Sequence, residues 1–67
     1  MSKPLEVGDI LYYPPFNEHL LLIERAVSED HDGTMNPAWE FLILETNKYS
    51  WYWEVVLEDP NEYMRAA

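Results

Sequence analysis

Ala38-Trp39-Glu40-Phe41-Leu42-Ile43-Leu44-Glu45-Thr46-Asn47-Lys48-Tyr49-Ser50-Trp51-Tyr52-Trp53-Glu54-Val55-Val56-Leu57 is the stretch on which the fold turns. Aromatic and aliphatic side chains fill both of its ends, and many of these residue types suit a pleated, half-buried surface. Between the ends stands Asn47-Lys48-Tyr49, where Asn tolerates the left-handed backbone of a tight turn. The stretch therefore reads as two antiparallel strands, over residues 38–46 and 50–57.

Outward from that hairpin the same grammar continues. Gly8-Asp9 supplies turn chemistry before Ile10-Leu11-Tyr12-Tyr13, and Pro14-Pro15 ends that short strand because proline cannot donate to a ladder. Residues 19–27 form the next strand. Residues 28–37 are polar without an apolar period, which predicts an exposed, mobile loop. Near the end, Asp59-Pro60-Asn61-Glu62 offers an N-cap Asp, a proline at the first helical position and a glutamate at the third. A short helix running to about residue 65 is expected there. The fold class is mainly β, a small antiparallel barrel or meander of about four or five strands with a short C-terminal helix. Residues 1–67 make one domain.

Strand parity carries the functional expectation. If odd positions face inward, Leu21, Ile23 and Val27 meet Trp39, Phe41 and Ile43, with Trp51, Trp53, Val55 and Leu57 alongside. Even positions then face outward, where Glu24, Glu40 and Glu54 mark a solvent side. That side also carries Leu20, Leu22, Leu42, Leu44 and Tyr52, which breaks the clean alternation of a half-solvated sheet. Either the loop and helix cover these five residues, or they form a patch that binds a partner. On the second reading the partner-binding set is Leu20, Leu22, Leu42, Leu44 and Tyr52, ringed by Glu24, Glu40 and Glu54. A bulge in any strand would flip part of this assignment.

Composition narrows the classes of function. Thirteen acidic residues against four basic ones give a net charge of −9. Nucleic-acid binding depends on neutralising phosphates, and Lys3, Arg25, Lys48 and Arg65 are too few and scattered to do it. A protein partner is expected, basic if the acidity is functional rather than for solubility alone. There is no cysteine, hence no disulfide or thiolate zinc site, which fits a reducing cytoplasm. The longest apolar runs are Leu20-Leu21-Leu22-Ile23 and Phe41-Leu42-Ile43-Leu44, far short of the roughly 20 residues a membrane helix needs. The N-terminus lacks the apolar stretch of a secretory signal, so a cytoplasmic location is expected. A chain of this size has a small core, and self-association is the stabilising device left to it.

Motifs for chemistry fail in turn. Ser28-x-Asp30-x-Asp32-Gly33 is only superficially a calcium loop, with Ser first and Trp39 where a bidentate Glu is required. His19 and His31 lack metal-ligand spacing. Ser2, Ser28 and Ser50 sit in no nucleophile elbow, and two glycines cannot make a phosphate-cradling loop. Trp51-Tyr52-Trp53 would suit stacking on single strands only beside a basic groove, so Trp51 and Trp53 are expected in the core. No enzyme activity, metal or cofactor is expected.

Val7-Gly8-Asp9-Ile10-Leu11, the aliphatic residues 20–27, Trp39 to Glu45 and Val55-Val56-Leu57 together resemble small SH3-like barrel proteins of tailed bacteriophages. The resemblance covers roughly residues 7–58, and only Val7-Gly8-Asp9 is motif-like. Pro14-Pro15 and Asp59-Pro60 depart from the pattern. The resemblance implies an SH3-like barrel and an accessory protein that binds a host or phage protein. Two other readings stand beside it: an acidic inhibitor that mimics the charge of DNA, and a homo-oligomeric structural component.

Overall fold

A computed structural model describes residues 3–66. The β-forming segments become strands β1 (Ile10–Tyr13), β2 (Glu18–Glu29), β3 (Met35–Ile43), β4 (Lys48–Trp53) and β5 (Met64–Arg65). A single 3-10 turn spans Pro14–Phe16, and one helical turn, α1, spans Glu54–Leu57. The strands form one antiparallel sheet in the order β4-β3-β2-β1-β5. Strands β1 to β4 make a meander, and β5 returns to pair with β1.

Local chemistry sets the joints. Gly8 adopts φ +94°, a value that strains any residue with a Cβ, and its N–H donates to the Leu22 carbonyl at 2.9 Å. Pro14-Pro15 closes β1 by entering the 3-10 turn, which Asn17 ends in the left-handed conformation (φ 51°). Asn47 is left-handed as expected (φ 56°). Its N–H donates to the Ile43 carbonyl at 2.8 Å.

The segment expected to be a mobile loop is instead mostly ladder. Ser28 pairs with Asn36 and Glu29 with Met35, which leaves only residues 30–34 to turn the chain. Asp30 organises that turn. Its Oδ1 accepts from the N–H groups of Asp32 and Thr34 at 3.1 Å each, and its Oδ2 accepts from Asn36 Nδ2 at 2.8 Å. Pro37 fits within β3 because β4 ends opposite Ala38, so no strand asks for its missing N–H on that side.

The helix also lies earlier than expected. The fourth strand stops at Trp53, and residues 54–57 coil into α1. Asp59 does act as a cap, accepting the Asn61 N–H at 2.9 Å, but only a turn forms before β5. Arg65 on β5 wins the contest for that segment. It pairs with Leu11 in the ladder, bonds Asp9 Oδ2 at 2.9 Å and donates to the Lys3 carbonyl.

A β-bulge falls between Leu22 and Glu24. It adds Ile23 as an unpaired residue and switches the parity of β2 in mid-strand. Before it Leu20 and Leu22 face the core; after it Arg25 and Val27 share the face of Trp39 and Pro37. The core joins Leu11, Leu20, Leu22, Trp39 and Phe41 to Leu5, Leu57 and Tyr63, which close over the inner sheet face. Each such aliphatic or aromatic side chain contributes about 1.5–3 kcal/mol when fully buried.

Candidate functional site

Residues directly opposite one another across strands lie on one face. The pairings therefore assemble the outer face of the sheet row by row. Met64, Tyr12 and His19 form one row, and Ile10, Leu21, Leu42 and Tyr49 the next. Glu24, Glu40 and Trp51 follow, then Ala26, Ala38 and Trp53. None of these residues belongs to the core cluster that Leu57 and Tyr63 close, although Ala38 is buried and Ile10, Leu21, Leu42 and Trp53 are half-buried.

Three features give this face its character. Tyr49 and Trp51 are exposed, Trp51 at 52%, and Trp51 meets Trp53 edge-on with ring centroids 5.0 Å apart. Leu21 and Leu42 are half-buried neighbours between them and β1. Glu24 and Glu40 stand opposite each other, both exposed, and among the described residues neither has a hydrogen-bond or ion-pair partner. Like charges directly opposite on a sheet destabilise it. Beside them Ala26, Ala38 and Trp51 help to line a concavity of about 350 Å³.

The eight residues expected to form one partner-binding set are divided by the structure. Glu24, Glu40 and Leu42 occupy the outer face. Leu20 and Leu22 are core residues, Leu22 only 1% exposed, so neither is available to a partner. The bulge is the reason, because it reverses the parity of β2 ahead of Glu24. Tyr52 pairs with Trp39 on the inner side and lines a separate concavity of about 270 Å³ with Tyr13, Phe16 and Tyr63. Leu44 is exposed in the β3–β4 turn.

Glu54 has a structural task. It opens α1 and accepts from Arg25 Nε at 2.8 Å, Arg25 Nη2 at 3.3 Å and the Trp39 indole Nε1 at 2.8 Å. Its carboxyl is held below the usual glutamate range, chiefly by the hydrogen bond from Arg25. At the far end of the sheet the His19 N–H donates to Glu45 Oε1 at 2.6 Å, and the His19 ring meets Oε2. The backbone bond is the main cause holding the Glu45 carboxyl low. On the inner side burial pushes the Tyr63 hydroxyl up to about 12.

Trp51, Trp53 and Val55, expected in the core, are elsewhere. Ile43 pairs with Lys48 across a turn of residues 44–47, so every odd residue of β3 faces an even one of β4. Trp51 and Trp53 are thereby turned to the outer face, and Val55 on α1 is 75% exposed. Leu21, Tyr49 and Trp51 are the functional candidates that parity counting misses. A turn of residues 47–49 would put like parities opposite; its true bounds are the missing signal.

Among the described residues no group of three or more His, Asp or Glu side chains is placed to hold a metal ion. No helix among them is long and apolar enough to cross a membrane. Compared with protein-family models, curated proteins and solved structures, the chain matches none.

Proposed function

We propose that this chain is a non-enzymatic protein-interaction module of the cytoplasm whose outer sheet face binds a basic protein. The observation that carries the reading is the row of half-buried Leu21 and Leu42 and exposed Tyr49 beside Glu24 and Glu40, which have no ion-pair partner among the described residues. An apolar centre with an acidic rim has the anatomy of a protein interface. A net charge of −9 steers basic partners in and keeps nucleic acid out. The likeness of residues 7–58 to tailed-phage SH3-like proteins adds a setting, an accessory protein acting on a host or phage protein, and rests on the sequence alone.

An inhibitor that mimics the charge of DNA is the neighbouring reading. It is favoured by the same excess of acids, and it requires that the captured partner be a nucleic-acid-binding protein that DNA displaces. Affinity capture from a bacterial lysate with the wild-type chain and with Leu42→Glu, at low and high salt, tests the proposal. A specific partner lost both with salt and with Leu42→Glu is the expected result. A partner retained by Leu42→Glu and by high salt overturns it.

A further inference from the structure

We infer that the concavity beside Trp51 on the outer face seats an arginine side chain of the partner. This rests on the reading of the outer face as a protein-binding surface and names the group that the surface recognises. Exposed Ala26 presents a small apolar side chain at the floor, beside the buried Ala38, against which a three-methylene stem can lie. Glu24 and Glu40 project from the neighbouring row, one from each strand, with no cation partner among the described residues. Trp51 stands directly opposite Glu40 and offers an exposed indole. Paired carboxylates beside an aromatic face suit a planar guanidinium, which donates several N–H bonds in one plane and stacks on the ring. A lysine ammonium would take the charge but not the stacking geometry.

Charge decides the occupant. Two opposed carboxylates on a sheet cost stability in the free protein, and a cation between them converts that cost into attraction. A second copy of this chain offers lysine cations, Lys3 and Lys48, but no free arginine. Arg25 and Arg65 are both engaged within the chain, by Glu54 and by Asp9. Every copy also carries the same charge of −9. The occupant is therefore a different, basic protein presenting an exposed arginine.

The test is a titration of the whole chain with N-acetyl-arginine amide, followed through the Trp51 indole N–H resonance, assigned with Trp51→Phe. N-acetyl-lysine amide and N-acetyl-citrulline amide serve as the charged and the shape-matched uncharged comparisons. The expected result is a saturable shift with the arginine amide and binding about fivefold weaker with the lysine amide. Citrulline should give no saturable shift. The double variant Glu24→Gln/Glu40→Gln should lose about tenfold or more in affinity. It should also melt no lower than wild type, because it relieves the like-charge pair, so misfolding cannot account for the loss.

Equal binding of lysine and arginine amides, or unchanged binding by the double variant, overturns the arginine seat. Failure of the seat is separable from failure of the wider reading. A salt-sensitive partner that Leu42→Glu loses but Glu24→Gln/Glu40→Gln keeps sinks the seat and leaves the interaction surface standing.

Discussion

Glu54 shows how one carboxylate ties three elements together. It sits at the head of α1, holds Arg25 of β2 and satisfies the indole N–H of Trp39, a β3 side chain only 2% exposed. Glu54→Ala leaves that buried donor without a partner, which costs about 1–3 kcal/mol. Glu54→Gln keeps an acceptor for the indole and should cost roughly half as much, the ionic part of the Arg25 contact being the loss. Urea titration of the three chains checks the order. The pH dependence has a definite sign. The folded-state carboxyl is depressed relative to the unfolded chain, so its contribution is complete above the unfolded value, near 4.3. It disappears as pH falls through the lower folded value. Wild type should therefore lose more stability than Glu54→Gln between pH 5 and about pH 3. Parallel decline of the two would show that Glu54 is not linked to folding in this way.

At the scale of elements, β1 to β4 were legible in the sequence, whereas β5, α1 and strand facing were not. Gly8-Asp9, Pro14-Pro15 and Asn47 each mark the boundary or turn that forms there, because each residue restricts its own backbone. The bulge at Ile23 and the turn of residues 44–47 are cooperative choices of two strands, and no single residue announces them. Hence Trp39 and Phe41 of β3 are buried as parity predicts, whereas Leu20, Leu22, Trp51 and Trp53 lie on the opposite sides. Of the eight candidate site residues, Glu24, Glu40 and Leu42 share the outer face, those whose parity neither event reverses. The β2–β3 turn offers a second check. Asp30 and Asp32 already accept the N–H groups of the turn and the Asn36 amide. Asp30→Ala should thus lower stability by about 1–2 kcal/mol and speed hydrogen exchange at Thr34. Millimolar calcium should leave the melting temperature of the wild type unchanged, since a ligand specific for the folded state must raise it. A rise of several degrees would show that the aspartates prefer an ion to the backbone.

For the whole molecule the acidity makes kinetic predictions. With −9 on 67 residues, association with a basic partner should slow as salt rises, exposed charges being screened beyond about 8 Å at 0.15 M. Reversing Glu24 and Glu40 to Lys should lower the on-rate by weakening steering and raise the off-rate by emptying the arginine seat. Leu42→Ala, in the apolar row, should act mainly on the off-rate. Stopped-flow mixing separates the two. No binding to single- or double-stranded DNA or RNA is expected at physiological salt. Tight binding of any of them would mean that net charge is a poor guide to this surface.

The pairing of β5 with β1 has a consequence for synthesis. Leu11 waits for Arg65, the most distant partner that any strand of this sheet must find. Until residue 65 has left the ribosome, β1 has an open hydrogen-bonding edge, and Tyr63 is not yet in place over Leu11 and Leu20. The growing chain is thus a sheet with an adhesive border, the condition in which nascent β proteins pair with the wrong strand. A net charge of −9 sets such chains against one another by repulsion, which opposes that mispairing.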